Sequence, residues 1–151
     1  MKRTSDPTFI NQVVNNPEVV DWIRGPLEIP IDLTPLAENQ DNHLLVDDCG
    51  GFLFVKKRGL PLYEVHTQFL PGTRGVLDKA KEAAFYMFTK TDCIEIMTCV
   101  PSINVAARRL TKQMQFEYVG RKGEWPINGV KYPLDYYTLT IKRWATKLCQ
   151  Q

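Results

Sequence analysis

Two kinds of chemistry are spaced through the middle of this chain. Glu64 and His66 stand two apart in an apolar run, so they share one face of a strand. A carboxylate or an imidazole there can take a proton, and histidine titrates near neutral pH. The same positions equally suit a salt-bridge glutamate and a half-buried polar histidine. A few residues on, Gly72-Thr73-Arg74-Gly75 directly precedes a helical pattern that begins at Val76. A helix start exposes unpaired N–H groups and carries partial positive charge. Glycine before it lets the backbone approach an anion closely, and Arg74 adds a fixed cation suited to pyrophosphate. A plain strand-to-helix turn would use the same glycines. Asn104 opens a second helical pattern, where its amide can meet a ligand or cap the helix.

Composition narrows the setting for these residues. The 151 residues suit one domain, and 44% hydrophobic with 24% charged is ordinary for a folded chain. A formal charge of +2 gives no global argument for nucleic-acid binding. Four cysteines form no CxxC pair and only two histidines exist, so no metal site is expected. MKRTSDPTFI lacks a signal-peptide core, and no apolar run approaches membrane-spanning length. A cytoplasmic protein without membrane contact is expected. Trp22, Tyr86, Trp125 and Trp144 read as packing residues.

The elements that must position the site follow from periodicity. Asp6-Pro7 reads as a helix start, with Phe9, Ile10, Val13 and Val14 at helical spacing. NNPEVVDWIRG reads as a second short helix from Pro17 to Gly25, and PLEIPIDLTPLAENQDN as a loop. HLLVDDCGGFLFVKKRG is a hairpin candidate, and LPLYEVHTQFL a third strand. From Val76 a helix carries the stripe Val76, Leu77, Ala80, Ala83, Ala84, Met87 and Phe88. CIEIMTCV should be a central strand covered on both faces. PSINVAARRLTKQMQF is a helix with Ile103, Ala106, Ala107, Leu110 and Met114 inward. FEYVGRKG and YYTLTIKRW are closing strands. Together they predict a mixed α+β domain.

From about Tyr63 to Phe116, and more loosely to Trp144, this order resembles the GCN5-related N-acetyltransferase family. Arg74-Gly75-Val76-Leu77 is similar to that family's R-G-x-G or R-G-x-A loop. The run from Asn104 through Ala107, Leu110 and Thr111 to Gln115-Phe116 keeps the spacing of the family pattern N-x-x-A-x-x-L-Y-x-x-x-G-F across thirteen positions. The resemblance implies a mostly antiparallel central sheet flanked by helices, with acetyl-CoA (coenzyme A) in a cleft between two splayed strands. Residues 63–116 would form the acyl-CoA-binding core, and residues 1–40 the helical acceptor side. Gly72, Arg74, Gly75 and Val76 would hold pyrophosphate. Phe69 and Leu70 would offer backbone groups to the pantetheine arm, and Asn104 its side chain. Glu64 or His66 would act as base. Arg108, Arg109 and Lys112 would touch the adenosine phosphate or form a solvated face.

The whole chain also looks like a small group of bacteriophage proteins of this fold, on Asn16-Pro17-Glu18-Val19 and Tyr63-Glu64-Val65-His66-Thr67. Three positions depart from the transferase pattern. Leu77 replaces a small residue, Thr111 replaces a tyrosine that often protonates the leaving thiolate, and Gln115 replaces a helix-ending glycine. A threonine hydroxyl is too weak an acid for that proton transfer. Two functions follow from the resemblance. One is a phage-type acetyltransferase acting on an amine of a protein or small molecule, within an infected bacterium. The other is a non-catalytic protein of the same fold that binds a host or virion protein.

Overall fold

The computed structural model describes residues 1–149. Its centre is a seven-stranded sheet in the order β1-β2-β3-β4-β5-β7-β6. The strands are β1 (Lys2–Thr4), β2 (His43–Val46), β3 (Gly50–Lys56), β4 (Leu62–Phe69), β5 (Glu95–Pro101), β6 (Glu117–Ile127) and β7 (Val130–Thr140). The helices are α1 (Thr8–Val14), α2 (Pro17–Ile23), α3 (Thr34–Ala37), α4 (Val76–Lys90), α5 (Val105–Gln113) and α6 (Ile141–Lys147). This is the mixed α/β architecture expected, with the hairpin, the third strand and the long helix in their predicted places. No helix is long and apolar enough to cross a membrane among the described residues.

One ladder differs from all the others. β4 and β5 pair in parallel, while every other neighbouring pair is antiparallel. A parallel pair needs a crossover, which α4 supplies. The β4–β5 ladder holds only Leu62↔Glu95, Tyr63↔Ile96 and Glu64↔Met97, and then the strands diverge. Thr98 Oγ1 donates to Val65 O at 3.3 Å, satisfying the first carbonyl beyond the split.

Each face of the sheet carries its own core. On one side the predicted α4 stripe packs its Ala80, Ala83, Ala84, Met87 and Phe88 against Phe52, Phe54, Tyr63, Ile96 and Leu139, with Trp144 of α6. On the other side Ile10, Val13 and Val14 of α1 cover Leu44 and Leu53, joined by Ile31, Leu33 and Ala37. Burying a side chain such as Leu139 contributes about 1.5–3 kcal/mol.

The structure corrects several local expectations. Lys2–Thr4 adds an edge strand where only helix was expected, because it pairs with Leu44–Val46 far along the chain. The proline-rich loop contains α3 and is clipped to α1 by two asparagines. Asn15 Oδ1 accepts from Ile31 N and its Nδ2 donates to Ile31 O, both at 2.7 Å, while Asn11 Oδ1 accepts from Leu33 N at 2.8 Å. Strand β7 stops at Thr140, whose Oγ1 accepts from Arg143 N and caps α6 over the residues expected to continue the strand. β5 is central, but only Ile96 and Val100 are buried; Glu95, Met97 and Cys99 on its other face are half-buried. Of the residues expected to face inward, Ile103 in the turn before α5 and Ala106 on α5 are exposed. The α5 stripe faces an open cleft rather than the sheet.

Gln115 adopts φ of 61°, the left-handed region that its glycine-replacing position demands. Its carbonyl accepts from Arg143 Nε at 2.5 Å, which any residue type would preserve. Gln115→Gly is therefore expected to stabilise the fold by about 0.5–1 kcal/mol. A urea titration should show a higher midpoint with an unchanged slope.

Candidate active site

Where β4 and β5 part, a cavity of about 430 Å³ opens between them, α4 and α5. Val65, Thr67 and Phe69 form its β4 wall, Thr98 and Val100 its β5 wall, and Ala107 and Leu110 its α5 side. The gap expected between the splayed strands is thus open. Phe69 and Leu77 line its walls without closing it.

Backbone direction decides which groups face the split. Leu70 N donates to Cys49 O at 2.9 Å on the β3 side. Neighbouring amides of a strand point in opposite directions, so the N–H groups of Phe69 and Thr67 point toward β5. The expected pair changes accordingly. Leu70 has no backbone hydrogen left to offer, and its carbonyl accepts from both Thr73 N and Thr73 Oγ1. The Thr67 N–H points the same way as that of Phe69, a direction that no local pattern could give without the strand register.

At the mouth of the cleft, Gly72 and Gly75 both have positive φ, at 78° and 70°. Gly75 is the residue preceding α4, and no side chain caps the helix. The first intrahelical bond runs from Lys79 N to Gly75 O, so the amides of Val76, Leu77 and Asp78 lack acceptors within the helix. Open space surrounds the position where a Cβ on Gly75 would sit, so its role is conformational rather than steric. Arg74 is exposed and forms no ion pair among the described residues. Lys79 pairs with Asp47, tying α4 to the β2–β3 turn.

Asn104 lies on the cleft wall and caps α5, its Oδ1 accepting from Ala107 N at 3.1 Å. Its side-chain NH2 makes no hydrogen bond among the described residues and remains a donor toward the cleft. Thr111 is 7% exposed, and its hydroxyl donates to Arg108 O at 2.8 Å. That proton is committed within the helix. Arg108 donates to Ser102 O, and Arg109 and Lys112 lie on the exposed face of α5.

Glu64 and His66 lie on the opposite side of β4, away from α4 and toward α1. Alternation along the strand places them there once Val65 and Thr67 face the cleft. Glu64 belongs to the last β4–β5 pair, at the apex of the split. Its carboxylate pairs with Lys57, lies 3.5 Å from His66 Nε2 and accepts a long contact of 3.9 Å from Cys99 Sγ. Loss of hydration holds the His66 pKa below the ordinary histidine value; Glu64 opposes this and Lys57 adds to it. Burial, aided by the nearby Glu64 charge, pushes the Cys99 thiol up to about 11, so it is inert as a nucleophile. A second hollow of about 360 Å³ lies beyond on the sheet, with Met97, Tyr136 and Glu95 in its wall.

No family model and no curated protein matches the sequence. Solved structures do. A spermidine N-acetyltransferase from Vibrio cholerae, in complex with CoA and spermine, superposes with a TM-score of 0.77 at 17% identity over 92% of each chain. An acetyltransferase of the GNAT family from Bacillus anthracis superposes with a TM-score of 0.69 at 16% identity, over 93% of this chain and 92% of the other. The interrupted parallel pair, the crossover helix and these superpositions together give the chain the fold of the GCN5-related N-acetyltransferases.

Proposed function

We propose that this chain is an N-acetyltransferase that takes an acetyl group from acetyl-CoA and passes it to an amine. The observation that carries this reading is the open split between β4 and β5 with the uncapped start of α4 at its mouth. Together they form a cleft with free helix amides at its mouth, and the Glu64–His66 pair stands on the other face of β4 beside the apex of the split. The residues fit such a cofactor. Free helix amides and Arg74 suit a pyrophosphate, and unpaired strand amides at Thr67 and Phe69 suit the amide groups of a pantetheine arm.

Bound coenzyme A supplies an acyl group activated as a thioester. The chain's own residues do the rest. Gly75, Val76, Leu77 and Arg74 hold the phosphates. The strand edges and the Asn104 side-chain NH2 orient the arm, which sets the reacting carbon near the apex. An unpaired strand N–H there stabilises charge on the carbonyl oxygen. From the α1 side His66, neutral at physiological pH, would remove the proton of the attacking amine, directly or through water, as the amide bond forms and the thioester C–S bond breaks, the thiolate leaving to be protonated by solvent. Glu64 orients His66 and keeps its conjugate acid favourable. The amine acceptor enters from the α1 side, where the second hollow reaches Met97, the partner of Glu64 at the apex. Both V. cholerae and B. anthracis neighbours carry acetyltransferase names, and the former acts on a polyamine, which supports an amine acceptor. The finer assignment, a phage enzyme at work in an infected bacterium's cytoplasm, is supported by the 16–19 and 63–67 motifs alone.

Calorimetric titration with acetyl-CoA tests the reading. Micromolar binding is expected, and none at millimolar cofactor would overturn it. Turnover should rise with pH as His66 loses its proton, with a midpoint below the ordinary histidine value. His66→Gln should lower kcat about 100-fold and remove that acid limb. A limb that survives the change would move the base to Glu64. Thr111 favours a second reading, a cofactor-binding protein without turnover, because its hydroxyl cannot protonate a leaving thiolate. Acetyl-CoA binding without acetyl transfer across a panel of amines would select it.

A further inference from the structure

The second hollow, on the α1-side face of the sheet, carries a carboxylate with no cation of its own. The hollow is an open recess, since no residue in its wall is fully buried. Glu95 stands half-buried in it and accepts a hydrogen bond from the Thr138 hydroxyl, which fixes the direction of the carboxylate. Among the described residues Glu95 forms no ion pair. Glu64, on the same face, is already engaged by Lys57 and His66. The cations in the wall do not answer Glu95 either. Arg121 is committed to Asp135, which pairs with Val100 and so lies on the cleft face. Lys122 is exposed on β6, which β7 separates from β5, so its backbone lies about 10 Å across the sheet.

The position of Glu95 relative to the apex gives it a use. It stands opposite Leu62, two residues before the Glu64↔Met97 pair. Two residues of strand rise and one strand spacing put it about 8 Å from Glu64. An amine held at the apex and extended over Met97 therefore brings its far end to Glu95. We propose that the acceptor is a linear diamine, acetylated on one nitrogen at the apex while the other, as an ammonium, pairs with Glu95. This rests on the acetyltransferase reading above. The reacting nitrogen attacks as the free amine, gains the acetyl group as the C–S bond breaks and gives its proton to His66. The thiolate leaves to solvent protonation, and the second nitrogen keeps its proton and charge throughout. A five-carbon diamine spans the distance, with its methylenes against Met97.

The test is calorimetric titration of the full chain, saturated with coenzyme A, with 1,5-diaminopentane and with pentylamine. The two differ only in the second nitrogen. The diamine is expected to bind at least about tenfold more tightly. Glu95→Gln keeps the side-chain shape and the Thr138 partner, and should bring the ratio of the two dissociation constants to about one. Added salt should lower the ratio for the unaltered chain, so the charge pairing is read even if the variant does not fold. Equal binding of the two amines, no binding of the diamine, or an unchanged ratio in the folded variant overturns the proposal while leaving the acetyltransferase reading intact. Failure of coenzyme A itself to bind overturns both.

Discussion

Replacing Arg74 by glutamate is expected to weaken coenzyme A binding about 100-fold or more while leaving the unfolding midpoint unchanged. The two halves of this expectation have separate grounds. Arg74 is exposed and has no ion-pair partner among the described residues, so no folded contact is lost. Surface changes of that kind usually move stability by less than about 0.5 kcal/mol. Binding is different, because in the proposed function the helix amides and the guanidinium act on the same anion. Charge-assisted hydrogen bonds to phosphate are worth about 1.5–3 kcal/mol, or roughly 10- to 150-fold. Glutamate removes them and sets a negative charge against the pyrophosphate. The effect should shrink as salt is added, since the site is open to solvent. Titration calorimetry of both proteins at low and moderate salt reads it directly. Equal affinities would make residues 72–75 a turn and nothing more.

The second large effect concerns stability, at a residue with no part in the chemistry. Gly50 begins β3 opposite Phe69, with φ of 153°. A Cβ built there would lie 2.6 Å from Phe69 Cα and would also strike the Gln68 carbonyl. Both obstacles are backbone, so neither can swing aside. Gly50→Ala is expected to cost about 3–5 kcal/mol, combining an unfavourable backbone region with forced separation of β3 and β4. For a chain of this length that lowers the unfolding midpoint by about 10 °C. The same change should weaken coenzyme A binding, because the displaced residues form the cleft wall. A midpoint within two degrees of the unaltered chain, read by circular dichroism or calorimetry, would show that the β3–β4 approach is looser than this geometry.

These two residues mark the boundary between what was readable along the chain and what was not. Gly72, Arg74 and Gly75 stand next to one another in sequence, and the helix that follows them has a regular apolar stripe. Local patterning therefore located the loop, the helix and most strands before any contact between them was known. The departures at Leu77, Thr111 and Gln115 came from the resemblance to the transferase pattern, and Gln115 takes the left-handed backbone of the glycine it replaces there.

Gly50 looked like one of two glycines in a hairpin turn, and only its β4 neighbours give it a steric burden. The same limit applied to the site. The spacing of Glu64 and His66 put them on one face of a strand, but not on which face, because a period of two is symmetric until a partner packs against one side. The exposure of Ile103 before α5 and of Ala106 on it, and the half-open face of β5, had the same origin. A helical or extended pattern says which residues are apolar together, and an apolar stripe lining a cleft looks identical to one lining a core.

From composition and periodicity alone came the mixed α/β class, the order of elements and the glycine-rich turn into α4 at residues 72–76. All three depend on residues near one another in the chain. The splitting of β4 from β5 after three paired residues, the opposite directions of the Phe69 and Leu70 amides and the burial of the Thr111 hydroxyl came only with folding. Each depends on which distant backbone lies alongside. That lateral choice is settled by the packing of both sheet faces at once, and no single stretch of sequence contains it.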